Sequence, residues 1–364
     1  MAARVPISSR FRSITVDGRT LDAAHAADHF SAWRHTDTVD GTLWREPLER
    51  TVKELVHGRG GMSAWTSGTT GPPKRFSIPR RDLVKSAELT AATFGLKPHD
   101  RVLLCLPCDF VAGKMMLVRA FVLGLDLHVI DPRGSVLDKL TPGDRFRFTA
   151  MVPLQLHRCL QEDRARVERQ FETILLGGGP VSEALVEDLQ ELDVHVFRSY
   201  GSTEMVSHIA LRALNGPRRS ERFQALGDVH FARDPRGCLV VHTPHLSVEQ
   251  HLTNDLVQLS DDSHFTWLGR HDNVILSGGR KIFPEQLEAR TAGILPYPHY
   301  FTAVPDAVLG QAVMLVLETE RPQQEVLPEV LDLLMTTLDR HELPRRVQAL
   351  RRIQRTSGGK MIRR

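Results

Sequence analysis

The sequence predicts an α/β protein, with a large doubly wound domain that carries a β subdomain and a small α+β domain after it. Three observations predict it. From about residue 80 to residue 200, short apolar runs alternate with helix-like segments, the pattern of a parallel sheet built from βαβ units. From His208 onward the pattern changes to hairpins, with turns at Asp234-Pro235-Arg236-Gly237 and Asp261-Asp262-Ser263. Beyond a junction at Leu268-Gly269-Arg270-His271-Asp272-Asn273 it changes again, to a short hairpin, helices and two further strands. The large domain is therefore placed at residues 1–269 and the small one at 270–364.

Taken in order, Leu21 to Arg34 and Glu46 to Val56 carry helical spacing, and so does Arg81 to Phe94. Apolar runs at Val102–Leu106, Leu127–Ile130, Thr149–Val152 and Thr173–Leu176 read as buried strands. The segments Lys114–Leu125, Leu154–Leu160 and Glu183–Leu189 between and after them read as helices. In the small domain a hairpin over Val274–Phe283 precedes a helix from Pro284, strands near Phe301–Val304 and Val313–Glu318, and an amphipathic helix reaching Leu343. The segment 347–364 is rich in arginine.

Composition narrows the function classes. With 364 residues, 41% hydrophobic and 25% charged, the chain has ordinary soluble globular composition. A net charge of +3 is too weak a bias to argue for nucleic acid or a membrane surface. The arginine-rich end lacks the interleaved aromatics of a single-strand binder. The first ten residues have no apolar core, and the apolar stretch around Met115 to Leu125 is broken by Arg119, so a cytoplasmic location without membrane insertion is expected. Four scattered cysteines do not make a disulfide scaffold. Cys105 and Cys108 form a CxxC, but inside Leu103-Leu104-Cys105-Leu106-Pro107-Cys108 they read as small buried hydrophobes.

The chemistry-bearing stretch is Thr66-Ser67-Gly68-Thr69-Thr70-Gly71-Pro72-Pro73-Lys74. It sits between Ser-Ala-Trp and Phe-Ser-Ile, both strand-like, so it joins two strands and is not a P-loop opening a helix. Exposed backbone N–H groups, four hydroxyls and one mobile cation suit a triphosphate. Further along, Leu176-Gly177-Gly178-Gly179-Pro180-Val181 ends a strand with glycines that let the backbone approach a planar ligand. Arg198-Ser199-Tyr200-Gly201-Ser202-Thr203-Glu204 sets an aromatic, hydroxyls and a carboxylate at a strand end. Thr253-Asn254-Asp255 offers a carboxylate suited to a ribose diol, and Arg355-Thr356-Ser357-Gly358-Gly359-Lys360 puts a lysine on a glycine-softened segment.

In this order the motifs resemble the adenylate-forming superfamily of acyl-CoA synthetases, peptide-synthetase adenylation domains and luciferases, over most of residues 62–364. More finely, Val111-Ala-Gly-Lys-Met-Met-Leu-Val-Arg-Ala120, Met151-Val-Pro-Leu-Gln-Leu156, Thr253–Val257, Trp267–Arg270 and Asn273-Val-Ile275 resemble the o-succinylbenzoate–CoA ligases of menaquinone biosynthesis, in a compact form. The region before the glycine-rich loop, about 60 residues, is short against that superfamily, and Ala112 departs from relatives that carry a hydroxyl there.

The resemblance implies ATP, Mg²⁺ and coenzyme A as co-substrates and a small carboxylic acid as the group activated. It implies that Ser67, Thr69, Thr70 and Lys74 hold the β- and γ-phosphates, with Thr66, Gly68 and Gly71 in the same ATP-binding stretch, that Thr203 binds the α-phosphate, and that Glu204 helps hold Mg²⁺. Tyr200, flanked by Ser199 and Gly201, would stack on adenine near Gly178 and Gly179, and Asp255 with Arg270 would take the ribose. Lys360 would bridge the carboxylate and the α-phosphate during adenylation. The small domain would then rotate about Asp272, removing Lys360 and bringing in the loop of Gly278, Gly279 and Lys281 on the coenzyme A side.

Arg119 is the expected specificity residue, because a core-facing arginine among apolar neighbours needs an anionic partner, with Lys114 and Gly113 sharing its site. Other readings are another aryl- or acyl-CoA ligase, an enzyme loading a carrier protein, and a degenerate nucleotide-binding module. Retention of both Lys74 and Lys360 speaks against the last.

Overall fold

The computed structural model describes residues 10–32, 44–58, 60–65, 75–355 and 361–363. Its first elements form a hairpin, β1 (Ser13–Val16) and β2 (Arg19–Asp22), closed by Asp17-Gly18 with φ of 48° and 76°. Two positive φ values make the two-residue turn whose twist matches its strands. α1 (Ala23–Ala32) and α2 (Arg45–His57) follow. β3 (Gly61–Trp65) and β4 (Arg75–Pro79) then pair antiparallel as a separate ribbon. α3 (Arg80–Phe94) begins with an arginine that reaches back: Arg80 Nη2 donates to the carbonyls of Glu54, Leu55 and Gly58 at the end of α2. A cation there meets the negative end of the helix dipole. Phe11, Ile14, Leu21, Phe30, Leu48 and Val52 enter the main core, so the short front of the chain packs directly onto the sheet's helical layer.

The parallel sheet comes from β5 (Arg101–Leu104), α4 (Val111–Leu123), β6 (Asp126–Val129), β7 (Phe148–Met151), α5 (Pro153–Gln170), β8 (Thr173–Leu176), α6 (Glu183–Asp188) and β9 (His195–Tyr200). Strands β1-β6-β5-β7-β8-β9 lie side by side and parallel. Along β5, Val102 and Leu104 face the core under α3 and α4, whereas Leu103 faces the core under α5 and α6. Burial on both faces explains the unbroken apolar run in the sequence. From β5 the chain crosses to β6 on one side and then to β7 on the other. That reversal opens a crevice at the carboxyl ends of β5 and β7, where open α/β sheets take their ligands.

The hairpin region forms the expected β subdomain and continues the parallel sheet at its β9 edge. β10 (Ala210–Ala213), β11 (Phe223–Ala225), β12 (His230–Arg233), β13 (Cys238–His242), β14 (Gln250–Leu259) and β15 (His264–Arg270) have their own core, centred on Phe223, Phe231, Leu239 and Phe265. They do not form a separate sheet. β10 pairs antiparallel with β9 from Ala210↔Tyr200 to Ala213↔Phe197, so one ladder of thirteen strands runs through the described residues. Both expected turns are present, and Asp234 fastens the first by accepting from the N–H groups of Arg236 and Cys238.

One 3₁₀ turn over His271–Asn273 separates that ladder from a second sheet. This sheet holds β16 (Ile275–Ser277), β17 (Arg280–Ile282), β18 (His299–Asp306), β19 (Gly310–Glu318) and β20 (Arg346–Leu350), with α7 (Pro284–Thr291) and α8 (Gln323–Met335). Its core of Ile275, Phe301, Leu315 and Val330 shares no residue with the first. α8 stops at Met335, short of the expected Leu343, where Thr336 and Thr337 turn their hydroxyls onto the Leu333 carbonyl. β20, parallel to β19, has no counterpart in the sequence reading. The thiols of Cys105 and Cys108 are buried and pushed up to about 12, which confirms their packing role. No helix among the described residues is long and apolar enough to cross a membrane.

Candidate active site

The glycine-rich loop joins β3 and β4 as the sequence indicated, with Trp65 opposite Arg75. Thr66, Ser67, Gly68, Thr69, Thr70, Gly71 and Lys74 lie outside the described residues, as does Lys360. Of the other expected positions, Gly178, Gly179 and the run from Ser199 to Glu204 follow or end the central strands β8 and β9, while Asp255, Arg270 and Asp272 lie on β14, β15 and the turn after them.

After β8, Ser199 Oγ donates to the Leu176 carbonyl at 2.8 Å, and a Cβ on Gly177 would come within 2.9 Å of that hydroxyl. Gly178 has φ of 76°, which requires glycine. A Cβ on Gly179 would meet nothing closer than 3.6 Å, so the fold itself does not demand glycine there.

After β9 the chain wraps tightly. Val206 and Ser207 have φ of 53° and 88°, a region that branched side chains seldom occupy. Four bonds hold the turn: Ser86 Oγ on α3 donates to the Val206 carbonyl at 2.7 Å, the Val206 N–H to Thr203, the Ser207 N–H to Ser202, and the Ile209 N–H to Tyr200. Gly201 lies where the loop recrosses itself, and a Cβ there would sit 1.8 Å from the Ser207 carbonyl oxygen. Backbone strain over-determined in this way is characteristic of functional segments. Gly201→Ala is therefore expected to destabilise the protein by about 1–3 kcal/mol and to cut pyrophosphate release with ATP and acid by at least about 100-fold. Urea melts and a pyrophosphate assay check both. Thr203 is half-buried in this loop, and Glu204 is exposed at its rim without a hydrogen-bond or ion-pair partner among the described residues. An exposed carboxylate is a hard oxygen donor and fits Mg²⁺.

Tyr200, Asp255, Arg270 and Asp272 form one connected group. The Tyr200 ring packs edge-on against Phe265 at 5.0 Å, and its hydroxyl donates to Asp255 Oδ2 at 2.7 Å. Burial, followed by the Asp255 charge, pushes that phenol well above its ordinary range. Arg270 lies 3.8 Å from Asp255 and 3.5 Å from Asp272, which also accepts from Asn254 at 3.0 Å. The carboxylate expected to meet a ribose thus reaches the expected hinge through a single guanidinium. On the far side of that turn, Gly278 and Gly279 close the β16–β17 hairpin with φ of 56° and 79°, beside exposed Lys281.

Arg119 is 1% exposed. Its Nε donates to Thr90 Oγ1 at 3.2 Å, and its terminal nitrogens meet Met116 Sδ at 3.4 Å, Ser207 Oγ at 3.4 Å and His208 Nδ1 at 3.3 Å. The guanidinium also lies 5.9 Å from the centre of the Phe148 ring. All these partners are neutral, and burial pushes Arg119 down to about 10. Lys114 and Gly113, expected to share this site, lie earlier on α4. Lys114 is five residues back on α4, faces another way, and donates to the Ser63 carbonyl of β3 at 2.7 Å. Gly113 lets α4 close on the preceding loop, since a Cβ there would lie 2.4 Å from the Pro107 carbonyl oxygen. Thr90, Ser207 and His208 escaped the sequence reading because they come from separate elements. Their one signal was a polar residue inside a predicted core helix or beside a strand.

His208 is buried beside Arg119, and burial with that neighbouring charge pushes its imidazole down to about 3. The unfolded chain takes this proton near pH 6.5. Below that value the unfolded state binds the extra proton, so stability is complete above about pH 6.5 and is lost as the pH falls toward 3. His208→Gln should flatten this acid limb. Urea melts near pH 7 and pH 4.5 test it, and an unchanged difference between the two contradicts the assignment.

A family model described as AMP-binding enzyme matches residues 62–232. An acyl-CoA synthetase (AMP-forming)/AMP-acid ligase II-like protein from Dyadobacter fermentans DSM 18053, of known crystal structure, is 34% identical, with 90% of this chain and 94% of that one covered and a TM-score of 0.59. The 2-succinylbenzoate–CoA ligase of Bacillus subtilis strain 168 is 26% identical over 332 residues, which is 82% of this chain and 67% of the relative. The structure of O-succinylbenzoate coenzyme A synthetase from Bacillus subtilis, in complex with ATP and magnesium ion, shares the fold at 19% identity, a TM-score of 0.74 and 98% coverage of both chains. The tight loop after β9 and the glycine turn after β8 thus occur in a chain that belongs to the AMP-binding enzyme family, among the AMP-forming acyl-CoA synthetases.

Proposed function

We propose that this protein is an acid–thiol ligase that activates o-succinylbenzoate with ATP and passes the acyl group to coenzyme A in the cytoplasm. The observation that carries the substrate is Arg119: a guanidinium 1% exposed, met only by neutral groups among the described residues. A buried cation needs a compensating anion, and an acid with two carboxylates can present one to Arg119 while the other reacts. The curated relatives named 2-succinylbenzoate–CoA ligase support the same choice.

The chain divides, on this reading, at residues 1–269 and 270–364. In the first step a carboxylate oxygen of the acid attacks the α-phosphorus of ATP, and the bond to the bridging oxygen breaks, giving acyl-adenylate and pyrophosphate. Both reactants are anionic, so donors and cations must offset their repulsion. The loop from Thr66 to Lys74 holds the outer phosphates, Thr203 the α-phosphate, and Lys360 lies across the reacting oxygens. Bound Mg²⁺, held in part by Glu204, would neutralise phosphate charge. Tyr200 and the Gly178–Gly179 turn flank the adenine, and Asp255 with Arg270 orients the ribose. In the second step the thiol of coenzyme A attacks the acyl carbon and AMP leaves, after the small domain turns about Asp272 to present Gly278, Gly279 and Lys281.

The test is pyrophosphate release with Mg-ATP and coenzyme A against o-succinylbenzoate, benzoate, salicylate and a medium-chain fatty acid, with mass spectrometry of the thioester. Selective formation of o-succinylbenzoyl-CoA is the expected result. A different thioester would keep the ligase chemistry and discard the substrate, and acyl-adenylate without thioester would discard the coenzyme A step.

A further inference from the structure

His208 is the buried polar residue beside Arg119 that the fold leaves half-satisfied. The residue is 3% exposed, on the strained segment after β9, and its Nδ1 faces an Arg119 terminal nitrogen at 3.3 Å. A guanidinium only donates, so Nδ1 is the acceptor and the proton sits on Nε2. That Nε2 is buried and has no hydrogen-bond partner among the described residues. Buried donors are nearly always met, and one left open in a native fold points to a group that arrives from outside. The ring centres of His208 and Phe94 are 6.4 Å apart, and Ser207 Oγ lies 3.5 Å from Nδ1, on the side of the ring that Arg119 meets. A donor beside a cation that meets no anion among the described residues has one fitting ligand class, a carboxylate or carbonyl oxygen.

We propose that His208 is a specificity-determining residue for the acid substrate: through Nδ1 it fixes the Arg119 guanidinium, and through Nε2–H it donates to an oxygen of the bound acid. The inference rests on the ligase reading above but names a contact that reading does not need. It also assigns Arg119 its orientation. Of the five N–H donors of a guanidinium, Thr90, Ser207 and His208 take one each and Met116 Sδ a fourth, a weak one. The weak contact is the one an incoming carboxylate displaces.

The test compares wild type, His208→Phe, His208→Gln and Arg119→Met with o-succinylbenzoate, measuring kcat, KM for the acid and KM for ATP, with urea melts for each. His208→Phe keeps the ring and removes both polar atoms, whereas His208→Gln keeps a donor and an acceptor. The expected result is a KM for the acid raised about 10- to 100-fold in His208→Phe, the loss of one or two good hydrogen bonds. Its kcat and KM for ATP should stay within about threefold, and His208→Gln should recover part of the loss. A KM for the acid unchanged in His208→Phe overturns the proposal, as does an equal rise in the KM for ATP. Should His208→Phe fold poorly, an acid KM in His208→Gln that tracks its melting midpoint overturns it, and a changed KM with a wild-type midpoint supports it. If the wild type turns over another acid, the ligase substrate is wrong, and the same comparison on that acid still decides His208.

Discussion

Lys360→Ala should lower adenylation by about 100- to 1,000-fold, the loss usual for one electrostatic contact to developing charge in a dry site. Thioester formation from supplied acyl-adenylate should stay within about threefold of wild type. The described residues on either side of the segment explain why the substitution acts locally. Arg355 pairs with Glu318 at 2.7 Å, and Glu318 also accepts from the Ile353 N–H. Arg363 pairs with Glu285 at 2.8 Å and with Glu288, while Arg355 and Met361 bridge each other. Both flanks are thus anchored to the small sheet and to α7 independently of the lysine. Pyrophosphate exchange and single-turnover thioester formation measure the two steps separately. Equal loss of both would contradict a two-state account in which Lys360 serves only the first.

Arg119→Met is expected to separate stability from function. A buried guanidinium that meets no anion among the described residues is costly to keep, and replacing such a group by an apolar side chain of similar length is often neutral or stabilising by about 1–4 kcal/mol. The melting midpoint should therefore hold or rise. Removing one partner of a buried charge pair costs binding about 2–5 kcal/mol, so kcat/KM for the acid should fall roughly 30- to 5,000-fold. A structural arginine would give the opposite pattern, with lost stability and no particular effect on the acid.

The sequence made much of this legible, for identifiable reasons. Buried parallel strands such as Leu103-Leu104 and Thr173–Leu176 are apolar on both faces, and Gly95 and Gly124 end α3 and α4 with φ of 65° and 66°. The Asp17-Gly18 hairpin carries a local turn signal, but strands of only four residues give too short an alternation to stand out. β20 was hidden for another reason: Arg346-Val-Gln-Ala-Leu350 is polar by composition and becomes a strand only through parallel pairing with β19. The same limit applied to the site. Tyr200, Asp255 and Arg270 stood out as residue types in motifs, but the hydroxyl of Tyr200 on Asp255 is a fact of three dimensions. Arg119 was visible as a charge in an apolar helix. Its neutral cage of Thr90, Ser207 and His208 joins α3, α4 and the loop after β9 across as many as 118 positions (208 − 90), and no local pattern encodes that.

The central claim is that Arg119 reads a second carboxylate on the acid. The most direct measurement is kcat/KM for o-succinylbenzoate against its two mono-acid analogues, each lacking one carboxylate, in wild type and in Arg119→Met. The account expects the wild type to prefer the di-acid by roughly 30-fold or more over the analogue that keeps the reacting carboxylate, with the preference gone in Arg119→Met. A preference of the same size in both proteins would contradict it.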